Sequence, residues 1–291
     1  MVMRLRGSVI FCSVDPALAE KALFRQAGRW RLGFLSANPY LIAMTETRLN
    51  DRAIIRLSAS DGSEDIRQFL QGLVTQDMLA VVAGEPQWAA LLSAQGKLLF
   101  DFILWADGDA ILIDCESEQA DALVKRLKLY RLRRKIDIER DDSVGVHWAV
   151  EAGDRPVDPR LPALGHRWLD GAGEGPGIEE AYRRHRLSLG VTEGVAELGS
   201  DKTLWLECNA AELHGVSFAK GCYVGQENTA RMNYRQKVNR RMVIVPIADA
   251  DEKRQRIAYP AYALSVEHRR VEDIRALDDL PEWLAAAIRD Q

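Results

Sequence analysis

Three strand-type segments in close succession constrain the fold most. Residues 87–93 (QWAALLS) and 97–105 (KLLFDFILW) are apolar runs joined by Ser-Ala-Gln-Gly, a turn composition, and they read as a hairpin. Residues 110–115 (AILIDC) follow at once as a further buried strand. Only then comes a helix, from Glu116 to about Leu129, with Ala120, Leu123, Val124 and Leu127 on one face. Ahead of the hairpin lie a strand at 53–58 and a short amphipathic helix. In that helix Ile66, Phe69, Leu70 and Leu73 recur at i, i+3, i+4 and i+7, and Ser63 can cap it.

Strand pattern resumes over 136–150, and the Pro- and Gly-rich stretch 151–177 reads as loop. A short basic helix at 178–187 precedes strand-like segments at 203–207 and 215–218. After Arg241, MVIVPIA and AYALSVEH look like strands, and 278–291 like a terminal helix. Strands and helices mix without strict βαβ alternation, so the expected class is α+β rather than a doubly wound sheet.

The chain has 291 residues, 47% apolar and 28% charged, an ordinary globular composition for two domains or one large one. No apolar run approaches the length of a membrane span, so no membrane partner is expected. The net charge of −4 excludes global attraction to nucleic acid. Cys12, Cys115, Cys208 and Cys222 form no CxxC pair, which argues against a zinc ribbon, a dithiol or a disulfide scaffold and for a reducing compartment. Cys208, His214 and Cys222 match no common ligand spacing, so no metal site is expected. Residues 1–43 are basic and poor in acid. They read as an upstream extension before an initiator Met44, which suits a bacterial cytoplasmic protein, or as an organelle presequence, which suits the mitochondrial matrix.

The densest chemistry lies in Lys220-Gly-Cys-Tyr-Val-Gly-Gln-Glu-Asn-Thr-Ala-Arg231. Gly221 permits a positive φ, and helical propensity begins near Gly225. Cys222 therefore stands just before a helix N-terminus and beside the Lys220 ammonium, both of which favour thiolate over thiol. Such a cysteine is nucleophilic if exposed and a packing residue if the turn buries it. Basic side chains cluster at 125–135 (Lys125, Arg126, Lys128, Arg131, Arg133, Arg134, Lys135) and again at 231–241. They read as solvated helix faces or as a local anion site for a small polyanion or an RNA backbone, although only Tyr130 and Tyr234 are interleaved as RNA readers require. Glu207 ends a strand-like run and is followed by Cys208 and Asn209. It suits a strand-end surface group, or an acceptor for the paired N–H donors of a planar heterocycle.

These residues resemble the YgfZ-type folate-binding proteins, relatives of the glycine-cleavage T-protein (aminomethyltransferase) that include a mitochondrial folate-dependent iron–sulfur assembly factor. The string K-G-C-Y-x-G-Q-E carries the resemblance, supported by FLQGLVTQD (69–77), QGKLLFDFIL (95–104), DPRLPALGHR (158–167) and Glu207-Cys-Asn209. It covers about 50–241. It implies an aminomethyltransferase-like folate-binding α+β domain over 44–238, and a shortened, truncated β-barrel-like domain over 239–291 ending in a helix. It implies tetrahydrofolate, in a C1-substituted or polyglutamylated form, as the ligand, with Glu207 as the pterin-binding carboxylate. Asn209, Tyr223, Gln226, Glu227 and Arg231 are the other cofactor-site residues, and Cys222, Lys220 and Asp101 the chemically active ones. The implied role is support of iron–sulfur cluster assembly or repair, including clients that modify tRNA, with iron–sulfur proteins or assembly factors as partners. A folate-dependent aminomethyltransferase or demethylase is the alternative, and direct tRNA contact through 125–135 a third possibility. Three departures stand out: Phe100 replaces the first of two adjacent acids and leaves Asp101, Gln76 replaces an Asn, and the segment after 241 is short and lacks a Gly-rich hairpin.

Overall fold

The computed structural model describes residues 46–235 and 237–289, and the extension expected at 1–43 lies outside them. Strands β1 (Arg52–Ala59), β2 (Gln87–Leu92), β3 (Leu98–Asp107), β4 (Ala110–Glu116) and β5 (Ile136–Arg140) form an antiparallel sheet in the order β2-β3-β4-β1-β5. Both of its faces are covered, which is why its strands read as continuous apolar runs. Trp88, Ala90 and Leu92 of β2 enter one core, and Ala89 and Leu91 the other. The second core is closed by α1 (Ile66–Gln71) and α2 (Ala120–Arg131), through Ile66, Phe69, Leu70, Leu123 and Leu127. The cap of α1 is Asp65, whose carboxylate accepts the Gln68 N–H at 3.0 Å. Ser63, the expected cap, instead hydrogen-bonds to Asp61.

The stretch 136–150 is two strands, not one. Asp141 accepts the Ser143 N–H at 3.1 Å in a turn, and β6 (Val144–Ala149) then leaves the sheet to pair with β7 (His166–Gly171). β7 lies inside the stretch expected as loop. Its inward position at Arg167 reads as polar in sequence but is sealed from solvent here.

That arginine belongs to a buried charge network. Asp114 accepts the Arg52 Nε–H on one carboxylate oxygen and the Arg167 Nε–H on the other, each at 2.7 Å. Arg167 also donates to the Tyr182 hydroxyl at 2.9 Å, and that hydroxyl donates to Glu193 at 2.8 Å. Arg160 pairs with Asp158 at 2.7 Å and reaches Glu193 as well. Burial alone would raise the pKa of Glu193, but Arg160, Arg52 and Arg167 reverse that and hold its carboxyl well below the usual range. Arg186 of α3 (Glu179–Ser188) pairs with Glu197 of α4 (Gly194–Leu198) at 2.7 Å, and Glu197 accepts the Tyr259 hydroxyl at 2.8 Å.

Neither expected strand at 203–207 nor 215–218 forms. Trp205–Cys208 is a 3-10 turn, and 215–218 is irregular. Trp205 and Leu206 are buried by packing instead, with the Trp88 and Trp205 rings 4.6 Å apart between centroids, whereas Val216 is half-buried and Phe218 exposed. The Gly215 carbonyl accepts the Trp205 indole N–H at 2.9 Å and the Thr75 hydroxyl at 2.8 Å.

After α5 (Gln226–Arg235), strands β8 (Arg240–Pro246), β9 (Gln255–Tyr259) and β10 (Leu264–Arg270) make an open sheet in the order β8-β10-β9. The barrel-like closure expected here is not found among the described residues. β9 is a strand without a sequence signal, since its half-buried Gln-Arg-Ile-Ala-Tyr shows no strong apolar pattern. This second sheet is covered on both faces too. Met242 and Val266 enter the Trp88 core, while Val243 and Val245 pack with α6 (Val271–Ile274) and α7 (Glu282–Arg289).

Candidate functional site

The segment 220–225 is a loop fastened on both flanks. On one side the Lys220 ammonium donates to the carbonyls of Val74 at 2.6 Å and Gln76 at 2.8 Å. It also lies 5.0 Å from the Tyr223 ring centroid, a cation–π contact. Burial pulls the Lys220 pKa down to about 8. On the other side the Val224 N–H donates to the Gly72 carbonyl at 3.1 Å. Gly225 adopts φ +82° and sits against Ser93 and Leu92, where any Cβ would collide. Gly96 of the β2–β3 hairpin is its counterpart, since a Cβ there would meet the Gly225 carbonyl at 2.8 Å. The positive φ expected at Gly221 is thus found at Gly225, and Gly221 has open space around it.

Cys222 is exposed, in contrast to Cys115 and Cys208. Burial pushes the Cys115 thiol up to about 12 and raises Cys208 as well, so those two are inert packing residues. Of the two readings of Cys222, the geometry is that of the accessible one. Four residues on, Gln226 opens α5, and its side-chain oxygen accepts the Tyr223 N–H at 3.3 Å. Tyr223 is buried, and burial raises its pKa despite a hydrogen bond with Thr229. Glu227 and Arg231 form an exposed i,i+4 ion pair at 2.8 Å.

The neighbouring face of α5 borders a cleft of about 180 Å³ lined by Leu204, Glu207, Asn228, Met232, Lys237 and Asn239. Glu207 is held by the 3-10 turn, its Oε2 accepting the Leu204 N–H at 3.2 Å. His268 Nε2 lies 3.3 Å from the same oxygen, but its alignment makes this an electrostatic contact rather than a hydrogen bond. Oε1 has no hydrogen-bond partner among the described residues. Asn228 also braces the loop, donating to the Gln95 carbonyl at 2.6 Å.

The remaining expected site residues lie elsewhere. Asn209, two residues from Glu207, is fully buried with φ +61°. It donates to the Met242 carbonyl and accepts from Arg241, both at 3.0 Å, so its amide ties the turn to β8. Asp101 is 6% exposed and does not line the cleft. It accepts the Trp88 indole N–H at 3.4 Å and the Gly194 N–H at 3.2 Å, and burial raises its pKa. The structure therefore brings Glu207 together with the motif helix and sets Asp101 and Asn209 in packed surroundings. The cleft residues not foreseen were Leu204, Asn228, Met232, Lys237 and Asn239. The i,i+4 spacing of Asn228 and Met232 was legible; the approach of 204–207 to them was not.

Fold and site together define a protein of mixed helices and antiparallel sheets, the α+β class, with an exposed cysteine ahead of a helix and a carboxylate-lined cleft beside that helix. No family model matches the chain. The human mitochondrial iron–sulfur cluster assembly factor IBA57 is 33% identical over 269 residues, covering 77% of this chain and 74% of that protein. The mitochondrial IBA57 homologue of the fungus Chaetomium globosum is 30% identical, covering 83% of this chain and 67% of its own. The chain belongs to the IBA57 family of iron–sulfur cluster assembly factors. Glycine cleavage system aminomethyltransferase T of Bartonella henselae superposes over 35% of this chain with a TM-score of 0.30 and 14% identity, too small an overlap to bear on the fold.

Proposed function

We propose that this protein is a tetrahydrofolate-binding accessory factor in iron–sulfur cluster assembly, with Cys222 as its reactive thiol. The observation that carries the reading is the Glu207 carboxylate in a cleft against the helix of the Cys222 motif, with Oε1 free to accept. A pterin presents an adjacent amino group and ring N–H, which suit a carboxylate acceptor. The cleft volume of about 180 Å³ falls below the roughly 300–1,000 Å³ of sites that enclose drug-sized ligands, so it suits the ring system of a folate and not the whole molecule. Asn228 and Asn239 add polar groups at the wall and Met232 an apolar surface. When bound, tetrahydrofolate supplies a reduced pterin and, if substituted, a one-carbon unit.

A folate-dependent methyl or aminomethyl transfer is less well supported. It needs a working acid or base near the ligand, and Asp101 has both oxygens engaged in a packed setting. Clusters are cargo in the favoured reading, and the clients that receive them include enzymes that modify tRNA. The relatives' names say mitochondrial. A reducing compartment, whether cytoplasm or matrix, is what an exposed unpaired Cys222 requires.

Titration calorimetry with tetrahydrofolate tests the ligand. Glu207→Ala should weaken binding by about tenfold or more, the scale of one charge-assisted hydrogen bond. An absence of binding by the unmodified protein removes the folate reading. In cells lacking the protein, Cys222→Ala should fail to restore iron–sulfur enzyme activity, and full restoration would leave the thiol without a role.

A further inference from the structure

Helix α2 carries apolar residues on two faces. Ala120, Leu123 and Leu127 are buried in the second core. Lys125, Lys128, Leu129 and Leu132 recur at i, i+3, i+4 and i+7 on the side away from it. The outward face of a surface helix is normally charged or polar, yet Leu129 is 64% exposed and Leu132 82%. No acid occurs from 122 to 135, a stretch with seven Lys and Arg side chains. Lys135 pairs with Asp61 at 2.6 Å, and Arg134 lies over the Phe69 ring at 5.8 Å. Arg131 donates to the Ile136 carbonyl at 2.9 Å, a contact that leaves its charge unbalanced. Lys125, Arg126, Lys128 and Arg133 have no side-chain hydrogen bond or ion pair among the described residues. The acid of the first turn, Asp121, faces Arg140 at 3.8 Å. The helix dipole favours cations at this end, but it does not account for leucines exposed among them. Leu132 moreover ends the helix at φ 53° and ψ −117°, a conformation that suits glycine and strains a leucine. The turn alone would be better made without that side chain.

Unpaired cations and exposed leucines on one face suit a surface that is both anionic and apolar. A bilayer containing anionic lipid is such a surface: its headgroups attract each nearby Lys or Arg, and its acyl boundary accepts the leucines. An RNA backbone would use the charges and leave the leucines in water, and Tyr130, the aromatic side chain among them, is half-buried. We propose that the outward face of α2, through Lys125, Lys128, Leu129 and Leu132, docks the protein on an anionic membrane surface, with Arg126 and Arg133 adding charge. The expectation of no membrane partner rested on the length of apolar runs. No described helix is long and apolar enough to cross a bilayer, and a helix that lies on one needs no such length. The proposal concerns where the protein works and does not depend on the folate or thiol reading.

The test is co-sedimentation of the full chain with vesicles of phosphatidylcholine alone and of phosphatidylcholine mixed equally with phosphatidylglycerol. The unmodified protein should partition to the mixed vesicles at least about tenfold more strongly at low salt, and the ratio should shrink as salt rises. Lys125→Glu/Lys128→Glu should weaken binding to the mixed vesicles by about tenfold or more. Leu129→Ser/Leu132→Gly keeps every charge and should lose a similar factor. Leu132→Gly alone separates docking from folding. Glycine relieves the backbone, so the thermal midpoint should hold or rise while vesicle binding weakens. Equal partition of the unmodified protein to both vesicles overturns the proposal, as does binding that the leucine changes leave intact. A fall in the midpoint of Leu132→Gly would make that leucine a structural residue and overturn its role. Binding to transfer RNA that falls with the charge reversal, without binding to either vesicle, would assign the face to RNA and overturn the proposal as well.

Discussion

Two groups of arginines in this protein live under opposite conditions. Arg52, Arg160 and Arg167 are sealed between the first sheet, β7 and α3, and each meets at least one carboxylate among Asp114, Asp158 and Glu193. Arg240, Arg270 and Arg275 crowd the rim of a depression whose lining holds a single carboxylate. The difference follows from solvent. A buried guanidinium without a counter-charge costs several kcal/mol, so the interior tolerates only balanced sets. At the rim, water and salt screen the repulsion to a fraction of that, so an excess can persist and remain available to a ligand. Sealed arginines thus report on architecture, and those at the rim on how much imbalance solvent tolerates.

The sharpest way to break this contrast is Asp114→Ala. It leaves Arg52 and Arg167 with Glu193 as their one nearby carboxylate, a shortfall of buried negative charge that should lower unfolding stability by about 3–5 kcal/mol, read as a fall in the urea midpoint. A loss below about 1 kcal/mol would mean that water enters the network and that it is not sealed.

A smaller effect is expected where the network meets a carboxylate with no arginine of its own. Glu116 accepts the Val195 N–H at 2.8 Å, and burial, followed by the nearby Asp101, pushes its pKa from 4.5 up to about 7. The folded protein therefore holds this proton more tightly than the unfolded chain. The stability it contributes is complete below pH 4.5 and is lost as pH rises towards 7. Glu116→Gln keeps the acceptor and should flatten the decline in stability across that window, measured by urea unfolding at a series of pH values. Parallel curves for the two proteins would refute the assignment.

The smallest expected effect has the opposite sign. Arg240→Ala removes one of two facing arginines and should leave stability unchanged or raise it by up to about 1 kcal/mol. A clear loss would show that Arg240 is structurally balanced after all, and would draw the rim towards the interior case.

The same contrast explains what was legible in the sequence. The hairpin at 87–105 and the helix after residue 116 were readable because apolar pattern and turn composition are local signals. β7 was hidden because Arg167 occupies an inward position made tenable by partners distant in sequence, above all the Asp114 carboxylate fifty-three residues away. The strands expected at 203–207 and 215–218 failed for a related reason. Trp205 and Leu206 are buried by packing against Trp88 rather than by a ladder, Phe218 of the second segment stays exposed, and pattern alone does not distinguish these outcomes from a strand. At the site, the motif around Cys222 and the carboxylate at 207 were each visible. Their relation across α5 was not, nor was the rim patch, whose Arg240 and Arg270 are thirty positions apart and meet only through the pairing of β8 and β10.

The fastening of the 220–225 loop has a consequence for any encounter with another molecule. Lys220 grips two main-chain carbonyls on one side of Cys222, and on the other Val224 bonds to Gly72 while Gly225 packs against the hairpin. The sulfur is thus offered to solvent from the crest of a rigid arch. A group that did bond to this sulfur would meet it already positioned, so little freedom would be surrendered at contact and more of the new bond's strength would survive as affinity.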